Sequence, residues 1–241
     1  MLEVANLRGG YSEVDILCGV SINVAKGQIV TVAGTNGSGK STMGRALMGL
    51  LRRVTGTVRF AGEDLLKIPV HRRMELGLFL VPQIANVFPS LTVLENLQVI
   101  KVPDAKHRIN DVMQRFPALA QRSRALAGVL SGGERQQLAI ARAIVSQAKL
   151  MIMDEPTANL APRVMEHVLE LIAELPRSGA SVLLIEQRAR EALAISDYGY
   201  VMHLGEIVAA DQAAKLLHDE RLGELFFGQT TAEPGSPANL H

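Results

Sequence analysis

Two short segments carry the residue types that chemistry on phosphate groups needs. The first, Gly34-Thr35-Asn36-Gly37-Ser38-Gly39-Lys40-Ser41-Thr42, sets three glycines ahead of a lysine and two hydroxyls. Glycines let successive backbone N–H groups turn inward around an anion. The helix formers that follow, Arg45 to Leu51, aim the positive end of a helix at the same point. Lys40 is placed to reach outer phosphates, and the Ser41 hydroxyl to hold Mg²⁺. A chance glycine turn would have the same composition. It would not need the apolar run Ile29 to Ala33 before it and a helix after it, the context that a phosphate-binding loop requires.

The second segment, Leu150-Met151-Ile152-Met153-Asp154-Glu155, delivers two acids at the end of an expected strand, where parallel α/β sheets hold their ligands. It looks like a Walker B segment. Asp154 would orient Mg²⁺ and its waters, and Glu155, one residue on, would polarise an attacking water as general base. An isolated Asp-Glu pair would read instead as a cap for Pro156-Thr157, and the glycine-rich loop upstream favours the metal and base roles. A third segment, Leu130-Ser131-Gly132-Gly133-Glu134-Arg135-Gln136-Gln137, is a helix start in which Ser131 and Glu134 form a capping box. Gly132 and Gly133 leave its mouth free of side chains that would keep a phosphate away. Alone, it reads equally well as nothing more than a good helix start.

The elements that must position these residues follow from hydrophobic periodicity. Alternation over Leu2 to Leu7, Val20 to Val24 and Thr57 to Phe60, with glycine-bearing turns, predicts antiparallel strands near the N-terminus. Denser apolar runs at Ile29 to Ala33, Leu78 to Val81, Leu150 to Met153, Val182 to Ile185 and Tyr200 to Leu204 predict a mostly parallel central sheet. From Arg163 to Leu175, Val164, Val168, Leu171 and Leu175 recur at helical spacing opposite Glu166, Glu170 and Glu174, and Pro176 and Gly179 end the helix. Residues from about 88 to 147 read as helical throughout, an α-helical insertion in which Thr92 and Glu95 cap one helix. The composition of residues 229–241 is too polar to bury and predicts a disordered tail.

Bulk properties narrow the field. With 25 basic and 24 acidic residues and no block of either sign, the chain lacks the electrostatic footprint of a nucleic-acid or anionic-lipid binder. Cys18 is the sole cysteine, read as a small buried hydrophobe in a reducing compartment. The six histidines lie apart, without the spacing of a helix-borne zinc site. No stretch reads as a signal peptide or a membrane span, so membrane association is expected only through another protein. No internal repeat is visible, which argues against two tandem copies of one unit.

Together, the glycine-rich loop, the Asp154-Glu155 run and Leu130–Gln137 resemble the ABC ATPases, over residues 2–228. The resemblance implies an α/β fold of the P-loop NTPase, ABC ATPase type. A mostly parallel core sheet (about 1–87 and 148–228) would carry an N-terminal antiparallel β-subdomain and an inserted α-helical subdomain (about 88–147). It implies ATP and Mg²⁺, with residues 34–42 as the nucleotide cradle. It also implies a dimer in which Ser131, Gly132, Gly133 and Glu134 face the γ-phosphate held by the other subunit, either a second copy or a second ABC ATPase. Tyr11, which in isolation reads as structural, stands where the family stacks an aromatic ring on adenine. Gln83, after Leu80-Val81-Pro82, matches the glutamine that touches the Mg²⁺ and water region and joins core to helices.

Two positions depart from the family pattern. Ala161 replaces an aspartate in the loop after Glu155, and Gln187 stands where a switch histidine is usual. This Ala161 and Glu186-Gln187 set, with Phe88-Pro89-Ser90-Leu91-Thr92-Val93, the Pro69-to-Gly77 segment and the overall length, is similar to the smaller ATPase subunit of branched-chain amino-acid importers. Importers of urea, amides or aromatic acids share that branch. The resemblance implies transmembrane permease subunits, an indirect link to a solute-binding protein, and a place on the cytoplasmic face of the membrane. The rival reading is a soluble ABC ATPase of iron–sulfur cluster assembly. Coiled-coil recombination ATPases would need heptad arms that this length cannot hold.

Overall fold

The computed structural model describes residues 1–84, 86–219 and 222; the tail expected over 229–241 lies outside them. In chain order the elements are β1 (Leu2–Gly10), β2 (Leu17–Val24), β3 (Ile29–Ala33), α1 (Lys40–Met48), β4 (Arg53–Phe60), β5 (Glu63–Asp64), α2 (Val70–Glu75) and β6 (Leu78–Val81). Then come α3 (Val93–Gln98), α4 (Ala105–Arg115), α5 (Pro117–Gln121), α6 (Gly132–Val145), β7 (Leu150–Asp154) and α7 (Pro162–Ala173). The described chain ends with β8 (Ser181–Glu186), α8 (Ala189–Ala194), β9 (Tyr198–His203), β10 (Glu206–Gln212) and α9 (Ala213–Leu217).

Two sheets organise the fold. The first, ordered β2-β1-β4-β5, is antiparallel throughout. The second, ordered β10-β9-β3-β8-β7-β6, is parallel from β9 to β6, with β10 antiparallel on its edge. Its inner strands are apolar at nearly every position because both faces are covered, and alternate residues go to opposite cores. Val30, Val32, Ile152, Leu183 and Ile185 pack with α1 and the antiparallel sheet. Ile29, Met151, Met153, Val182 and Leu184 pack with α3 to α7 on the other face. Because β3, β6, β7 and β8 run parallel, the segments leaving their C-terminal ends emerge on one edge of the sheet.

Several elements differ from expectation. β1 runs on to Gly10 through a register shift, with Asn6 in the left-handed region (φ 49), and β2 and β4 begin earlier, at Leu17 and Arg53. β9 stops at His203, since Leu204 (φ 45) and Gly205 (φ 84) turn the chain into β10, a strand the hydropathy pattern did not announce. Its residues are at most half-buried and two are alanines, so the edge contributes little apolar signal. α7 yields at its C-terminus to a 3-10 turn over Leu175–Ser178 that contains Pro176, and Gly179 (φ 86) closes it. Cys18 is half-buried and not a core residue, because its strand flanks the Gly205 turn.

Candidate active site

The glycine-rich loop leaves β3 and ends at Gly39, whose left-handed backbone (φ 102) starts α1 without a side-chain cap. Lys40 is buried and donates from Nζ to the carbonyls of Gly34 (2.8 Å) and Thr35 (2.9 Å). Burial lowers its pKa, and the negative charges of Glu155, Asp154 and Glu186 partly restore it. Ser38 is 2% exposed and its hydroxyl has no partner in the chain. At Gly37 (φ 78) no atom lies within 4 Å of where a side chain would project, so that space is open to a ligand. An orphaned hydroxyl and an open glycine at a helix N-terminus fit a bound phosphate chain. Gly34 has a different reason: a β-carbon there would stand 2.2 Å from the Met202 carbonyl of β9.

Asp154 ends β7 and is 6% exposed; its Oδ1 accepts from Ser41 Oγ at 2.7 Å. Burial raises its pKa, while the Ser41 bond and the charges of Arg45 and Lys40 hold it down. A hydroxyl and a carboxylate in contact, both hard oxygen donors, fit Mg²⁺. Glu155 leaves the strand in the left-handed region (φ 46), a conformation that costs about 1–3 kcal/mol and that the surroundings must enforce. Its N–H donates to the Ile185 carbonyl at 2.8 Å, and its Oε2 accepts from Gln83 Nε2 at 2.7 Å. Burial raises the Glu155 pKa, Lys40 lowers it, and Asp154 raises it further. A carboxylate with a raised pKa beside a cleft is a suitable base.

Lys40, Ser41, Gln83 and Glu155 share one cleft of about 690 Å³ that Gly37 and Gln187 also line, and Asp154 adjoins it through its bond to Ser41. Gln187 is exposed at its mouth, and its N–H donates to Glu186 Oε2 at 3.2 Å. Tyr11 is not in the lining. Its ring is 53% exposed, and its hydroxyl accepts from Arg45 Nη1 at 2.8 Å. Ser131, Gly132, Gly133 and Glu134 do not reach the cleft either; within one chain they belong to another surface.

Both expected capping boxes form, at Thr92/Glu95 and at Ser131/Glu134. The Glu134 carboxylate is committed to its own chain, accepting from Ser131 N at 2.8 Å and pairing with Arg122 at 3.2 Å. The two glycines at this helix start differ in their surroundings. A β-carbon at Gly132 would make ordinary contact with Leu160 at 3.6 Å, whereas at Gly133 it would lie 2.3 Å from Val164 Cγ1. Gly133 therefore also lets α6 approach α7 inside the chain.

Two residues were given no role by the motif reading. Glu186, 2% exposed at the end of β8, accepts from the N–H (3.0 Å) and Oγ1 (2.7 Å) of Thr157, and burial raises its pKa. A lone acid closing the apolar run Val182 to Ile185 was its available signal. Arg73 bonds the last carbonyls of α1, and nothing local marks it.

Residues 17–158 match the family model described as ABC transporter. The chain is 38% identical over 232 residues to the high-affinity branched-chain amino acid transport ATP-binding protein BraG of Pseudomonas aeruginosa, covering 95% of this chain and 100% of that one. It is also 38% identical over 233 residues to a probable branched-chain amino acid transport ATP-binding protein LivF of Archaeoglobus fulgidus, at 95% and 99% coverage. The lipopolysaccharide export system ATP-binding protein LptB of Escherichia coli K12 is 31% identical over 235 residues, at 95% and 97% coverage. Among solved structures, a nucleotide-free ATP-binding cassette from an ABC transporter superposes with TM-score 0.82 at 29% identity, covering 95% of this chain and 99% of that one.

Proposed function

This chain belongs to the ABC transporter family and is an ATP-hydrolysing enzyme of that type, and on that premise we propose that it drives uptake of branched-chain amino acids through separate permease subunits. The observation that carries the motor reading is the Ser41–Asp154 contact at 2.7 Å in the cleft that Glu155 lines. In this reading the backbone of residues 34–42 and Lys40 hold the phosphates of ATP. Tyr11 would stack on adenine, and Ser41, Asp154 and Gln83 would hold Mg²⁺. The ion, when bound, neutralises charge that develops between the outer phosphates. Glu155 accepts a proton from the attacking water, and Gln187 donates a hydrogen bond to the γ-phosphate.

Ser131, Gly132, Gly133 and Glu134 complete the site of a second ATPase subunit, a like or unlike copy, which accounts for their distance from the chain's own cleft. The helical segment of about 88–147 docks the permease, with a solute-binding protein acting at one remove. Peripheral attachment on the cytoplasmic face, through the permease, is part of the same reading; no helix among the described residues is long and apolar enough to cross a membrane. The amino-acid cargo rests on the 38% relatives, against 31% for the lipopolysaccharide export ATPase. Importers of urea, amides or aromatic acids, and iron–sulfur cluster assembly, are the alternatives that the test must separate. Affinity purification of the tagged chain from its native membrane should bring down a permease and a solute-binding protein. That binding protein should take up leucine, isoleucine or valine. Recovery with lipopolysaccharide-transport components, or with soluble cluster-assembly proteins, would refute the assignment.

A further inference from the structure

We propose that Glu186 is a positioning residue for hydrolysis, whose buried carboxylate ties the turn after Glu155 to the segment that carries Gln187. The inference rests on the reading of Glu155 as the base. β8 is otherwise apolar from Val182 to Ile185, and a further apolar residue would bury at lower cost than a carboxylate 2% exposed. The three hydrogen bonds that Glu186 accepts all come from two cleft-lining residues: Oε1 takes Thr157 N (3.0 Å) and Thr157 Oγ1 (2.7 Å), and Oε2 takes Gln187 N (3.2 Å). Neighbouring ties complete the frame. Glu155 N donates to Ile185 O at 2.8 Å, and Ala158 N to Glu155 O at 3.1 Å. The left-handed Glu155 is thus held between the end of β8 and a turn that Glu186 anchors, and the same carboxylate sets where Gln187 begins.

A glutamine at 186 cannot satisfy this set. With its oxygen on Thr157, its amide faces the Gln187 N–H. Flipped, the amide faces the Thr157 N–H. One backbone donor is left without an acceptor in either orientation. The test uses the full chain with Mg²⁺ and ATP. Glu186→Gln should lower kcat by about 10- to 100-fold with KM for ATP within about twofold. Thr157→Val should lower kcat and add little in the Glu186→Gln background, whereas Thr157→Ser, which keeps both donors, should restore the wild-type rate. Amide hydrogen exchange supplies a readout independent of turnover. In Glu186→Gln the Thr157 and Gln187 amides should exchange faster together while Leu183 and Leu184 keep their protection. Unchanged kcat, or fast exchange spread along all of β8, would overturn the positioning role. A wild-type chain that hydrolyses no ATP even with its co-purifying partner ATPase and permease would refute the motor reading instead, and the exchange experiment would still decide the tie.

Discussion

Replacing Arg73 by methionine removes three hydrogen bonds from a site that is 4% exposed. The guanidinium donates to Ile68 O (2.9 Å), Ala46 O (3.2 Å) and Leu47 O (2.7 Å), the last two being carbonyls near the end of α1. This cation therefore caps the helix that presents Lys40 and Ser41 at its other end. At about 1 kcal/mol net for each of the three bonds, and with methionine losing about as much side-chain entropy on burial as arginine, the variant should lose about 3 kcal/mol. For a chain of this size that is a fall in Tm of roughly 5–10 °C. Thermal melts followed by circular dichroism, with and without ADP, provide the assay. ADP should raise Tm in both proteins, since the phosphate loop is at the opposite end of α1. Gly49→Ala should have a similar cost, because Gly49 sits at φ 77 and a β-carbon would stand 2.7 Å from Arg73 Cζ. The two substitutions together should cost less than their sum. A Tm for Arg73→Met within about 1 °C of wild type would refute the capping argument.

Lys40→Ala should weaken ATP binding by about 10- to 100-fold, measured by calorimetry, since it removes the buried cation facing the phosphates. Asp154→Asn should stabilise the nucleotide-free chain by about 1 kcal/mol near neutral pH while abolishing the effect of Mg²⁺ on nucleotide binding. The sign follows from burial raising the Asp154 pKa, so the folded chain binds the proton more tightly than the unfolded one. The resulting cost is present above the folded pKa and vanishes below the unfolded one. The gain from Asn should therefore disappear as urea titrations are taken down through the carboxylate range. Gln187→Ala should slow ATP hydrolysis. Gln187→His should retain it and introduce a step near pH ~6.5 in the rate profile, and equal rates for all three residues would remove Gln187 from the reaction.

The mostly parallel character of the central sheet and the convergence of the site were legible because each motif is contiguous and sits at the end of an apolar run. Once β3, β6, β7 and β8 are parallel, the glycine-rich loop, Gln83, Asp154-Glu155 and Gln187 must leave the same edge. Contacts made across the fold left no such trace. The Gly133–Val164 approach, the Arg73 cap on α1 and the Glu186–Thr157 bonds join residues far apart in sequence, and no local periodicity encodes them. β10 was missed for the opposite reason: an edge strand whose residues are exposed or at most half-buried, Val208 among the exposed ones, lacks the contrast that alternation needs. The position of Ser131 and Gly132 outside the cleft follows from the chain being one half of the proposed pair, which a single sequence expresses only through resemblance.

Phosphate release by the purified full chain, wild type against Glu155→Gln, tests the central claim most directly. The Glu155 carboxylate lines the cleft with Lys40 and Ser41 and has its pKa raised by burial. Its amide counterpart keeps the shape and can still bond Gln83 but cannot take a proton from water. The account predicts a rate at least about 100-fold lower with ATP binding retained. Phosphate release by Glu155→Gln within about twofold of wild type would contradict the assignment of Glu155 as the base.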